Sequence, residues 1–303
     1  MPFAITRRLA LVTPLLMLPV SRTWAIGGIQ ARLQELESRS GGRLGVAVLD
    51  AATGRLVGNR IDERFAMCST CKVLAVAFVL ARVDRDEERL DRRLTFTEDE
   101  LVPPFKSTSP HVGSEGMTIA ALCEAAITVS DSTAANLLFA SFGGPAALTV
   151  YLRSLGDPVT RLDHTEPALN IVKRGETHDT TSPAAISRTL RRLLLGEALS
   201  YRSRALLTGW MMGAKDAATH RLRVGLPAGW RIANKPGTWE KIATSDIGVI
   251  WPPGRAPVVV AAYLGEAPGS IESQESVLVD VARIVVAMQS ITSTHARTSG
   301  RAR

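Results

Sequence analysis

The spacing of apolar residues changes period several times along the chain. In IQARLQELESRSGG, residues 29–42, apolar side chains recur at helical intervals and two glycines follow, which predicts a helix and its end. RLGVAVLDAATGRLVGNR then alternates on both sides of DAATG, as two strands joined by a hairpin do. After CSTCK, the run VLAVAFVLARV is almost continuously apolar, so the helix it predicts is buried on most sides. MTIAALCEAAITVSDSTAANLLFASFGG reads as two helices broken near SDS, with Gly143 and Gly144 ending the second. Residues 157–182 have no sustained period. Leu162, Leu169 and Ile171 within them predict an ordered loop packed by its own side chains. Two more helical stretches follow, SPAAISRTLRRLLLGEAL and SYRSRALLTGWMMG. WRIANKPGTW, TSDIGVIWP and APVVVAAYLGE read as strands, and SIESQESVLVDVARIVVAMQ as a closing helix. Strands at both ends with helices between them predict an α+β fold whose sheet is built from both termini.

Composition changes this picture at the ends. A length of 303 residues, 46% of them hydrophobic, is enough for a sizeable core. The first 25 residues stand apart: Arg7 and Arg8, a short apolar run broken by Pro14 and Pro19, then a small residue, Ala25. That is the pattern of an export signal rather than of a membrane span. TRRLAL also fits a twin-arginine signal, so general secretory and twin-arginine export both stay open. Either route predicts a periplasmic protein with no membrane attachment once the signal is removed. The net charge is +7, but Arg7, Arg8 and Arg22, with three arginines of the tail ITSTHARTSGRAR, account for six of these charges. The remaining segment is near neutral and has no basic stripe interleaved with aromatics, which argues against a nucleic-acid partner.

The stretch CSTCK, Cys68 to Lys72, carries two candidate chemistries. Ser69 and Lys72 are three apart at a helix start and share a face. A serine hydroxyl needs a neighbouring base to become a nucleophile, and an amine of lowered pKa can act as one. The helix N-terminus adds free N–H donors and partial positive charge. Lys72 also opens an apolar helix, where an unpaired ammonium is costly. Cys68 and Cys71 form a C-x-x-C pair, and a helix N-terminus lowers a thiol pKa. However, no clear βαβ pattern surrounds the pair, as a redox motif would require. A zinc site needs four ligands, while Cys123 is the one remaining thiol and the histidines lack metal spacing. The cysteines therefore read as small apolar core residues, and no metal or other cofactor is expected.

Three further elements follow in order: SDS at Ser130–Ser132, EPALN at Glu166–Asn170, and NKPGT with Lys235, Gly237 and Thr238. With S-x-x-K, this ordered set resembles the class A serine β-lactamases over about residues 26–289. The resemblance implies a β-lactamase/transpeptidase-like fold, an antiparallel sheet flanked by helices plus an all-helical domain. The implied sheet domain spans 26–60 and 212–290, and the helical domain 61–211 with the loop 161–179. A basic, disordered tail is expected over 291–303. The implied partner is a β-lactam substrate of a monomeric enzyme. Ser69 would attack the lactam carbonyl, Lys72 and Glu166 would share the proton work, and Ser130 would protonate the departing nitrogen. Asn170 would help Glu166 hold the hydrolytic water. Lys235 and Arg221 would meet the substrate carboxylate, and the N–H groups of Ser69 and Thr238 would form an oxyanion hole. Penicillin-binding peptidases share the serine–lysine chemistry but lack the loop carboxylate, so Glu166 and Asn170 favour the hydrolase.

The chain departs from the family pattern at several positions. Ser132 replaces the usual asparagine, which should weaken contacts to the lysine and to the substrate. Pro236 replaces a threonine or serine and removes a hydroxyl and an N–H, leaving Thr238, Arg221 and Ser130 to carry more of the carboxylate. These two losses keep a non-hydrolytic β-lactam sensor as the rival reading. His164 stands where an arginine often pairs with the loop's far end, Asp179, and a neutral histidine cannot make a forked ion pair. A looser loop is expected above about pH 7. Trp239 and Val76 occupy the positions of family disulfide partners, and a Cys71–Cys123 bond is not favoured.

Overall fold

The computed structural model describes residues 20–299 apart from 114, 216–219 and 241, with side chains described over 28–289. The expected export signal lies outside the described residues except for its last six, which begin helix α1 (Val20–Ser40). Gly41, at φ +69°, follows the end of α1 in the left-handed conformation that glycine adopts without steric cost. The predicted hairpin is β1 (Arg43–Asp50) and β2 (Leu56–Asn59). Two-residue strand β3 (Phe65–Ala66) leads into a 3-10 turn at Cys68–Thr70 and the buried helix α2 (Cys71–Val83).

Short strands β4 (Arg93–Leu94) and β5 (Met117–Thr118) pair with each other. Then come α3 (Ile119–Thr128) and α4 (Ser132–Ser141), broken at SDS as expected. Gly143 and Gly144, at φ +93° and +84°, end α4 but also start a further helix, α5 (Gly144–Ser154), with Pro145 in its first turn. Beyond the loop, β6 (Thr180–Thr181) precedes α6 (Pro183–Leu194) and α7 (Tyr201–Met212). The chain closes with β7 (Arg231–Trp239), β8 (Ala243–Trp251), β9 (Val258–Gly265) and α8 (Ile271–Ser299). α8 thus continues as helix through residues 291–299, which were expected to form part of a tail.

The five long strands form one antiparallel sheet in the order β2-β1-β9-β8-β7, so strands from both ends of the chain meet, as predicted. Side-chain alternation serves both faces. Leu44, Val46 and Val48 of β1 and Val258, Val260 and Ala262 of β9 pack in one core with α1 and α8. Leu49, Val259, Ala261 and Tyr263 join the other core, with α2 to α7. Helix α2 lies inside that second core, with Cys71 to Ala77 all buried, which matches its nearly continuous apolar run. The 3-10 turn that precedes it meets β7.

The long loop is ordered but packs differently from expectation in one place. Leu162 and Leu169 are buried, whereas Ile171 is 62% exposed. Its far end is stitched to the strand before CSTCK: β6 pairs with β3, and Met67 N donates to Asp179 O at 3.0 Å.

Candidate active site

The turn carrying Ser69 is held in an uncommon conformation. Cys68 has φ +47°, and Ser130, across the cleft, has φ +58°. Non-glycine residues in this region cost on the order of 1–3 kcal/mol each and persist where surrounding structure fixes them. Gly237 lets β7 close on the turn. A Cβ there would sit 2.7 Å from Ser245 Oγ, 3.0 Å from Met67 O and 3.2 Å from Thr70 Cγ2, so a larger residue requires the Ser245 hydroxyl to turn away and the turn to give by a few tenths of an ångström. Thr70 is fixed from below by its hydroxyl, which donates to Met67 O at 2.7 Å and lies 3.2 Å from Tyr263 Oη.

Lys72 is fully buried, and its ammonium is the centre of the cluster. Its Nζ donates to Ser69 Oγ at 3.1 Å and to Ser130 O at 2.7 Å, and it lies 2.9 Å from Glu166 Oε1. That last contact is an ion pair without hydrogen-bond alignment, so Glu166 Oε1 still lacks a donor. Ser130 Oγ and Ser132 Oγ are both 3.4 Å from Nζ, at the weak end of hydrogen bonding. The long Ser132 contact is what a side chain shorter than asparagine should give.

Glu166 is held on three sides by two asparagines. Asn136 clamps its backbone, with Glu166 N donating to Asn136 Oδ1 and Asn136 Nδ2 donating to Glu166 O, both at 2.9 Å. Asn170 Nδ2 donates to Glu166 Oε2 at 2.6 Å and to Pro167 O at 3.0 Å, with Asn170 at the end of the 3-10 turn Ala168–Asn170. Asn170 Oδ1 and Glu166 Oε1 are buried acceptors with no protein donor. Such groups are normally satisfied, and together they can accept from one small donor molecule. Asn136 is a site residue that the sequence reading missed. Its signal was a polar residue in the apolar stretch AANLL. Asp131 is another: it caps α4 through Ala134 N and accepts from Ser107 N and Thr108 N, fixing the SDS turn.

On the opposite wall, Lys235 Nζ donates to Ser130 Oγ at 3.0 Å and to Pro236 O at 3.2 Å. Pro236 lies in β7, an edge strand, the place in a sheet that tolerates proline. Behind Lys235, Asn234 Nδ2 donates to both carboxylate oxygens of Asp246, at 3.0 and 2.9 Å, and burial pushes the Asp246 carboxyl up to about 6.

Arg221 differs from its expected setting. It is 5% exposed, with φ +63°, and its guanidinium is committed to the protein. Nη1 donates to Gly237 O and Ser245 O, Nη2 to Thr238 Oγ1, and Nε to Glu275 Oε1. Arg221 therefore braces β7 and orients the Thr238 hydroxyl.

His164 does pair with Asp179. Its Nδ1 is 2.6 Å from Asp179 Oδ2, while Asp179 Oδ1 accepts the backbone N–H groups of Asp163 and His164. The hydrogen bond to Asp179 raises the His164 pKa above 6.5. A raised histidine pKa means that its stabilisation is complete below about pH 6.5 and is lost as pH rises through the folded-state value. Loosening is thus expected at higher pH than an unpaired histidine would give. Hydrogen exchange of the loop amides, corrected for intrinsic rates, should show protection falling through that window in wild type. His164→Arg should hold protection constant; identical profiles would refute the role.

The three cysteines are free and buried. Burial pushes the Cys68 thiol up to about 12 and raises Cys71 and Cys123 as well. The thiolate-lowering effect of a helix N-terminus is outweighed here by desolvation.

The arrangement brings Ser69, Lys72, Ser130, Glu166, Asn170 and Lys235 to one cleft between the helices and β7. Comparisons with known proteins agree with it. The description "Beta-lactamase enzyme family" matches residues 28–289. A β-lactamase from Streptomyces albus G is 42% identical over 266 residues, 86% of this chain and 84% of that one. β-Lactamase OXY-1 from Klebsiella oxytoca is 42% identical over 276 residues, 91% and 94% of the two chains. Among solved structures, an ancestral (GNCA) class A β-lactamase has a TM-score of 0.83 at 57% identity, covering 86% of this chain and 99% of its own. With the serine–lysine pair, the loop glutamate and these relatives together, the chain belongs to the class A serine β-lactamases, hydrolases of β-lactam antibiotics.

Proposed function

We propose the following roles for the cleft residues in β-lactam hydrolysis. Ser69 Oγ attacks the lactam carbonyl carbon while Lys72 and Glu166 share its proton. The N–H groups of Ser69 and Thr238 receive the developing oxyanion, an interaction that strengthens in the transition state. The ring C–N bond breaks, and Ser130, backed by Lys235, passes a proton to the nitrogen. The product of this half-reaction is an ester on Ser69. Glu166 then takes a proton from a water that it holds with Asn170, and that water cleaves the ester. Lys235, Ser130 and Thr238 receive the substrate carboxylate, with Arg221 positioning Thr238 from behind. None of these steps calls on a metal or cofactor.

One observation carries the reading: a buried loop carboxylate within 2.9 Å of the lysine that itself bonds the serine. A penicillin-binding peptidase has no use for such a carboxylate, because its acyl-enzyme waits for a peptide or persists. A sensor reading draws on Ser132 and Pro236. Steady-state hydrolysis of a penicillin and a chromogenic cephalosporin separates them. Sustained linear turnover supports the hydrolase, and a stoichiometric burst followed by a plateau supports the sensor.

The two departures should cost substrate affinity more than chemistry. A hydrogen bond to a charged group contributes about 1.5–3 kcal/mol, so Pro236→Thr with Ser132→Asn should lower KM by at least about tenfold with a smaller change in kcat. An unchanged KM in the double variant would reject this account of both positions.

We further infer that the chain is exported to the periplasm, supported by the basic start and short apolar run of its first 25 residues. Among the described residues no single helix is long and apolar enough to cross a membrane. Every residue given a role comes from one chain, so a monomer suffices. Size-exclusion chromatography of the periplasmic fraction tests both points.

A further inference from the structure

Away from the catalytic cleft, a second concavity of about 620 Å³ lies between α6 and the β1–β2 hairpin. One wall is Arg188, Arg191 and Arg192; Leu49, Leu195 and Pro257 contribute apolar surface. The three arginines are at positions i, i+3 and i+4 of α6, so they share a face, and like charges so placed repel. No carboxylate lines the cleft. Of the acids near these residues in sequence, Glu197, next to Gly196 at the rim, is exposed, and two others are used elsewhere. Asp50 Oδ1 accepts from Ala52 N and Thr53 N in the hairpin turn. Asp157 is buried and accepts from Val159 N, Thr160 N and the Thr189 hydroxyl. Among the described residues, none of the three arginines forms an ion pair.

The helix dipole explains part of this arrangement, since Arg191 and Arg192 sit in the last turn of α6, where positive charge is favoured. It does not explain Arg188, a full turn earlier, or the concave apolar surface beside the arginines. The wall is also partly organised in advance. Arg191 Nη2 donates to Ala51 O at 2.9 Å, bridging α6 to the hairpin. Arg192 reaches over Gly156, where a Cβ would meet its Nη1 at 2.6 Å. Gly156 stands at φ +72°, a conformation that favours glycine as well.

We propose that this cleft binds a phosphate-bearing anion, held by the guanidinium groups of Arg188, Arg191 and Arg192 between α6 and the hairpin. Guanidinium forks match phosphate oxygens in pairs. Three of them suit a multiply charged group with three free oxygens better than a carboxylate, which offers two oxygens and one charge. The apolar surface accommodates an organic substituent on the phosphate. A bound anion removes the repulsion along α6 and ties the helix to the sheet. Two sources share this chemistry, a soluble phosphate compound and the headgroup of an anionic phospholipid.

The test uses the full mature chain and two probes at fixed ionic strength. Inorganic pyrophosphate is titrated calorimetrically, and phosphatidylglycerol vesicles are co-sedimented with the protein, with phosphatidylcholine vesicles as blank. Wild type should bind at least one probe. Arg188→Gln/Arg192→Gln should bind that probe at least about tenfold more weakly, having lost two charge-assisted contacts. Arg85→Gln/Arg89→Gln, which removes two arginines from another surface, should bind as wild type does. Both variants should hydrolyse a chromogenic cephalosporin at the wild-type rate, which separates this proposal from the catalytic assignments. Pyrophosphate binding alone identifies a soluble phosphate; vesicle binding alone identifies a lipid headgroup. Failure of wild type to bind either probe, or equal weakening in the two variants, overturns the proposal.

Discussion

Glu166→Ala is expected to leave acylation in place and to slow release of the acyl group by about 10³-fold, within the range for a lost general base. The asymmetry follows from geometry. Lys72 Nζ stays within 3.1 Å of Ser69 Oγ without the carboxylate, and as the free amine it can take the serine proton. Nothing replaces Glu166 as the acceptor paired with Asn170, because Oε1 and Asn170 Oδ1 are the buried acceptors without protein donors at this point. Stopped-flow absorbance with a chromogenic cephalosporin should show one equivalent consumed rapidly, then almost none. Turnover near the wild-type rate would remove Glu166 from the deacylation step. Asn136→Ala should give a milder form of the same defect, since it frees the backbone of Glu166 but not its side chain.

Ser69→Ala is expected to abolish acylation, with kcat/KM falling by at least about 10⁴-fold, as when other serine hydrolases lose their nucleophile. The neighbouring thiols do not rescue it. Cys68 and Cys71 are buried, and the raised pKa of each keeps it protonated, so neither supplies a thiolate. Binding should survive, because Lys235, Ser130 and Thr238 are untouched. Calorimetry with intact substrate should therefore show saturable binding at one site in Ser69→Ala. Residual turnover that is abolished by a thiol reagent would point to sulfur chemistry instead.

The strands were legible in the sequence because each face of the sheet has its own core. The alternation in RLGVAVLD and APVVVAAYLGE sends successive residues to different clusters, and a period of two survives even where both faces are buried. Helix α2 was legible for the opposite reason, since it is surrounded and its apolar run has almost no polar face. Helix α5 was not. Two glycines signal a stop, but at Gly143 and Gly144 the same backbone freedom also turns the chain into a new helix.

The catalytic cluster could be found because its residue types and order are distinctive. Its supports could not. Nothing local distinguishes Arg221 from a surface arginine; its burial depends on β7, β8 and Glu275 arriving from elsewhere in the chain. Asn136 resembles any helical asparagine until the loop folds over it. The positive φ of Cys68 and Ser130 is imposed by packing, since neither residue type asks for it. Ile171 shows the limit of reading burial from polarity in a loop, because one apolar residue of three faces solvent.

The most direct test of the account is to locate the adduct on the protein. Glu166→Ala is mixed with a penicillin, quenched in acid, weighed intact and digested for peptide mapping. The account predicts one added substrate mass, carried on Ser69. An adduct on Cys68 or Cys71, or no adduct at all, would contradict it.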